Sequence, residues 1–190
     1  MAEQDQPQVI HTDQADIANS AVSHVTATEV SAVNSAFNQV EAEHMDARNS
    51  AIAFAQTSTA TITNSAALAV IASSDATVSQ GGAAAILSGG NLNLTAGGAA
   101  ALLAGGNMNV TAGGGKILVA GGSMHIQQGG GGFLAAGQAS VQEGFVGVLL
   151  SGQTNLGDGA RVLLGARQAA AFGAAFGLVF ALARRWLRGD

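Results

Sequence analysis

The side chains that could do chemistry are few and scattered. Four histidines, His11, His24, His44 and His125, lie far apart in sequence. Metal sites need ligands at helical or strand spacing with a carboxylate or thiolate beside them, and no two of these histidines meet that condition on one helix or strand. Solvated surface histidines are the expectation. The chain has no cysteine, so it has neither a disulfide framework nor a thiolate centre. Glycine pairs are abundant, yet none is followed by the Lys-Ser/Thr of a phosphate loop. Calcium-binding solenoids place an aspartate in each turn, and the corresponding stretches here carry Asn, Thr or Ala. Thr-x-Thr pairs at Thr26/Thr28 and Thr59/Thr61/Thr63 do not recur at a fixed period, so a flat ice-binding threonine array is also missing. No Ser/His/Asp set shares a neighbourhood. The expectation is a protein that is not an enzyme, with no catalytic, cofactor or metal residues.

Charge narrows the partners. Seven Lys and Arg stand against twelve Asp and Glu, a net charge of -5, and the single lysine is Lys116. Phosphate backbones are bound by clustered Lys and Arg, so nucleic acid is not an expected partner. Nine acidic residues fall between Glu3 and Asp75 with only Arg48 opposing them, whereas Arg161, Arg167, Arg184, Arg185 and Arg188 gather at the other end.

What these residues sit on is set by glycine. Gly-Gly pairs begin at 81, 89, 97, 105, 113, 121 and 129, and the next beat is Gly137-Gln138. Every eight-residue unit carries an apolar residue at its sixth place, from Ile86 and Leu94 to Ile126 and Leu134. Each unit reads as a short strand and a tight corner, with glycine supplying the positive φ that sharp corners demand. A second repeat precedes it. Asn-Ser-Ala recurs at Asn19, Asn34, Asn49 and Asn64, every 15 residues. Counting two back from these markers and their continuations gives Ile17, Ala32, Ala47, Ile62, Val78, Leu94, Val110, Ile126, Val141 and Leu156. Counting six forward gives Val25, Val40, Ala55, Val70, Ile86, Leu102, Leu118, Leu134, Leu149 and Leu164. All are apolar. The pattern predicts an all-β, parallel β-solenoid of about ten coils of 15–16 residues, two strands per coil, about 45–50 Å long at ~4.8 Å per coil.

For the glycine-free part a coiled coil remains open, because Val30, Val33, Phe37, Val40, His44, Ala47, Ala51 and Phe54 fall on a heptad pattern. In that alternative an N-terminal coiled coil precedes the β-helix. The domain reading is a mobile polar tail at 1–9 and a β-solenoid at 10–167. The solenoid divides into a glycine-free part at 10–74 and a glycine-rich part at 75–167. A C-terminal helix at 168–190 follows.

Alternation separates two outer faces. Asn93 and Thr95, Asn109 and Thr111, and His125 and Gln127 flank inward positions on one side, which faces water. On the other side the flanking residues are Ala85 and Leu87, Ala101 and Leu103, Ile117 and Val119, and Phe133 and Ala135. Strands apolar on both faces are normally covered on both. Leu87, Leu103, Ile117, Val119 and Phe133 therefore form the expected self-association face, beginning around Phe54.

After Leu164 the character changes again. From Gln168 to Ala183 there is no charge; the stretch is about 24 Å long as a helix, short of a comfortable span. Phe172, Phe176 and Phe180 make one stripe, and Gly173 and Gly177 make a small-residue stripe suited to helix packing. Trp186 beside Arg184 and Arg185 suits a membrane interface. Two roles stay open for this helix: lipid attachment, or folding back over the last coil or the apolar face. The start of the chain has no basic, apolar signal segment, so the solenoid is expected in the cytoplasm, associated with membrane.

The octads GGNLNLTA and GGNMNVTA resemble those of the trimeric β-helix in phage and secretion-system puncturing spikes. The single-chain coil length is more similar to that of bactofilin-type cytoskeletal solenoids. No residue role is carried over from either. Three functions follow as expectations. The first is a self-assembling structural scaffold or filament, partnered with itself and tethered to lipid through its C-terminal helix. The others are a trimeric spike or fibre, and a membrane-active pore or toxin component.

Overall fold

A computed structural model of the chain describes residues 9–165. These residues wind as one parallel sheet that stacks on itself. The strands are β1 (Val9–Ala18), β2 (Ala21–Val33), β3 (Ala36–Arg48), β4 (Ala51–Thr63), β5 (Ala66–Ala72), β6 (Ala76–Ser79), β7 (Gly82–Ser88), β8 (Leu92–Ala104) and β9 (Met108–Leu164). All printed pairings are parallel. Ile10 pairs with Val25, Val25 with Val40, Val40 with Ala55, Ala55 with Val70, Val70 with Ile86, Ile86 with Leu102 and Leu102 with Leu118. The coiled-coil alternative for the N-terminal part is thereby corrected: the residues on its heptad pattern lie in strands, and His44 and Ala51 point outward to solvent. The 15-residue repeat fits one turn of a solenoid, where every coil's β-branched residues pack on the coil before.

The coil length changes at one place. Thr57 pairs with Ala72, a step of 15 (72 − 57), and Ala60 pairs with Ala76, a step of 16 (76 − 60). The extra residue therefore enters within Ser73–Asp75. There the Ser73 and Ser74 amides donate to the Thr57 and Ser58 carbonyls, so the insertion leaves the ladder closed.

Registers between strands define about seven turns, which corrects the expected ten. Beyond Leu118 the chain stays within β9, a single strand of 57 residues. Left-handed corners that divide the earlier coils stop at Ala112; further on only Gly129, Gly130 and Gly144 have positive φ. Of the twenty columnar core positions, buried ones run as far as Leu149. Leu156 and Leu164, 46% and 41% exposed, have no further coil to cover them.

The core is wider than two columns. Val30, Met45 and Leu92 belong to a third, Val22, Phe37 and Ile52 to a fourth, and Ala27, Thr57 and Ala104 to a fifth. Pairing lapses at Ser23 and Thr28 between β2 and β3, so most coils comprise three short straight segments, not two.

The corners also correct the role of glycine. Positive φ is held by Asn19, Asn34, Asn49, Asn64, Gln80, Ala96 and Ala112, each at 50–56°. Asparagine tolerates that region; alanine does so at a cost. The following residue is Ser20, Ser35, Ser50 or Ser65 in the early coils and Gly81, Gly97 or Gly113 later. The serines form a ladder in which the Ser20, Ser35 and Ser50 amides donate to the Oγ of Ser35, Ser50 and Ser65, at 3.3, 3.2 and 2.9 Å. Glycine replaces them where the coils approach too closely for a side chain: a Cβ on Gly81 would stand 2.7 Å from the Ser65 carbonyl oxygen. At the second corner the Asn91, Asn107 and Ser123 amides donate to Oδ1 of Asp75, Asn91 and Asn107, at 2.6, 3.0 and 2.9 Å. These ladders satisfy backbone donors that a bend in the sheet leaves unpaired.

Candidate self-association face

The outer face between Phe54 and Phe133 is built by register. One column runs Gln39, Phe54, Ala69, Ala85, Ala101, Ile117, each paired with the next. Its neighbour two residues along runs Glu41, Gln56, Ile71, Leu87, Leu103, Val119 by the same pairings. Residues between the columns, such as Ile86, Leu102 and Leu118, point inward and are fully buried, so both columns point out. Leu87 and Leu103 are each 37% exposed and Ile117 47%; Val119 and Phe133 are half-buried. Phe133 follows Ile117 by 16 residues, and the neighbouring Gly131 and Gly132 lie against the Gly115 and Lys116 carbonyls.

All five residues expected on the apolar face thus lie outward on one side of the solenoid. Sequence reasoning missed Ile71, which joins Leu87 in register, and Leu68, 65% exposed. The register itself is the signal, since Ile71 is one 16-residue step before Leu87. The opposite face is polar as expected: Thr77, Asn93 and Asn109 pair in sequence, and Asn109 Nδ2 donates to Asn93 Oδ1 at 3.1 Å.

The histidines do not all stay apart. His11 and His24 are 13 residues apart, one 15-residue coil less two, which makes them diagonal neighbours on the outside. Their ring centroids are 6.2 Å apart at 59°, and His24 Nε2 lies 3.1 Å from Thr26 Oγ1. Spacing along one strand could not reveal a meeting between stacked coils. Among the described residues no group of three His, Asp or Glu side chains is placed to hold a metal ion.

Phe172, Gly173, Phe176, Gly177, Phe180, Arg184, Arg185 and Trp186 lie outside the described residues, as do the C-terminal helix reading and most of the tail at 1–9; Val9 opens β1. No helix among the described residues is long and apolar enough to cross a membrane. Compared with protein-family models, curated proteins and solved structures, the chain matches none.

Proposed function

We propose that this protein is a non-enzymatic β-solenoid scaffold that self-associates through the face carrying Leu87, Leu103, Ile117, Val119 and Phe133, and that its C-terminal segment, 168–190, ties it to lipid. The observation that carries the reading is the registered apolar face, several coils long, on a fold whose core is already closed by its own side chains. A face of this kind is not needed for folding, and contiguous exposed apolar surface marks contact with a partner. It has no cleft or charged cluster at its centre that would favour a small polar ligand.

A trimeric spike loses its main support, because Leu102, Leu118 and Ile126 are buried within one chain and need no second chain to cover them. Replacing Leu87, Leu103 and Val119 with Asp tests the reading. The variant remains folded, since the three side chains lie outside the core, but it disperses. Assembly unchanged from the parent would overturn it.

A further inference from the structure

The apolar face is not flat, and its relief selects one arrangement of two copies. Ile71, Leu87, Leu103 and Val119 form a ridge along the solenoid axis. Beside it Ala69, Ala85 and Ala101 form a furrow, ended by Phe54 on one side and Ile117 on the other. At each level ridge and furrow residues are two apart, Ala69 with Ile71, Ala85 with Leu87 and Ala101 with Leu103, about 6.6 Å along the strand.

Resting on the self-association reading, we infer that the partner is a second copy, parallel to the first and related by a two-fold axis that runs along the solenoid between ridge and furrow. That axis lays each Leu103 over the partner's alanine furrow, and the same holds for Leu87 and Ile71, level for level. Close packing of an interface core requires this large-on-small match. A two-fold axis across the solenoid gives antiparallel copies. It sets leucine ridge against leucine ridge and leaves alanine facing alanine across a gap, which forfeits contact. Both arrangements are closed and self-complementary, so relief decides between them. From Phe54 to Phe133 the face is about 24 Å long, and the two adjoining straight segments make it about 20 Å wide. Two copies then cover about 1,000 Å² in total, the lower bound for a specific interface. In this arrangement both chains leave their last described strand at the same end, so the two segments 168–190 depart side by side.

The chain has no cysteine, so an introduced one is unique. Spin labels at Asp16→Cys and, separately, Asn109→Cys sit in one column of the polar face, six coil steps apart. In the parallel dimer the two label-to-label distances agree within a few ångströms. In an antiparallel dimer centred on the face, Asp16 lies about five steps from the axis and Asn109 about one. The partners' Asp16 labels would then be offset by ~48 Å along the solenoid and the Asn109 labels by ~10 Å, and that inequality would overturn the inference while leaving self-association intact. A second variant, Ala101→Leu, fills the furrow without touching the core. Dimerisation at least tenfold weaker supports the parallel fit, whereas equal or tighter dimerisation contradicts it. A parent protein that stays monomeric throughout removes the self-association reading and this inference with it.

Discussion

At the corner of β8 the residue held at positive φ is Ala96, at 52°, and the residue after it is Gly97. Exchanging the two chemistries has effects opposite to those expected from glycine's usual role. A Cβ on Gly97 would press on the Gly81 carbonyl oxygen and stand 3.2 Å from Leu94 Cδ1, and the oxygen is backbone and cannot swing aside. The corner must retreat, stretching the bonds from the Gly98 amide to Gly81 O, 3.2 Å, and from the Gln80 amide to Thr95 O, 2.8 Å. Two weakened hydrogen bonds at about 0.5–1.5 kcal/mol each, with about 1–3 kcal/mol of overpacking, give roughly 2–5 kcal/mol of destabilisation for Gly97→Ala. Ala96→Gly instead relieves about 1–2 kcal/mol of left-handed strain and loses about 0.5–1 kcal/mol of chain entropy, a net gain of up to ~1 kcal/mol. Ala96→Asn, the residue of the earlier corners, gains by a similar amount without that entropy loss. Urea unfolding followed by circular dichroism reads both. With a slope of about 1–3 kcal/mol per molar, Gly97→Ala lowers the midpoint by at least about 1 M, and the Ala96 variants raise it. A Gly97→Ala protein as stable as the parent, with Ala96→Gly destabilised, would refute the close-approach reading.

Two further outcomes follow from single features. Thr57 is buried and its Oγ1 has no hydrogen-bond partner; Thr57→Val keeps the shape, removes the unpaired hydroxyl and stabilises the fold by about 1–2 kcal/mol in the same urea assay. If residues 168–190 tether the protein, the full chain floats with liposomes in a density gradient and a chain ending at Gly165 stays at the bottom; equal flotation of both would end the tether proposal.

Much of the fold was legible because a solenoid converts sequence period directly into stacking. Ile86, Leu94, Leu102 and Val110 are buried columns because each is one coil from its neighbour, and that arithmetic needs no long-range information. The polar and apolar faces were legible for the same reason, since alternation along a strand assigns sides. What was not legible depends on how coils bend and end. The third, fourth and fifth core columns arise from kinks near Ser23 and Thr28 that periodicity does not mark. The corner glycines looked like positive-φ residues, yet the neighbouring coil's backbone, absent from any local reading, is what requires them. Leu156 and Leu164 obey the repeat and are still exposed, because burial in a stack is supplied by the next coil. Among the candidate site residues, Leu87, Leu103 and Ile117 were found by alternation, whereas the ridge and furrow required the register between coils.

Sedimentation equilibrium across a concentration series tests the central claim most directly, run on the parent chain and on the Leu87→Asp, Leu103→Asp, Val119→Asp variant, with circular dichroism to show that both are folded. The account predicts that the parent's mass rises with concentration above that of one chain, 18.6 kDa, while the variant stays at one chain throughout. A parent that remains at one chain, or a folded variant that associates as the parent does, would contradict it.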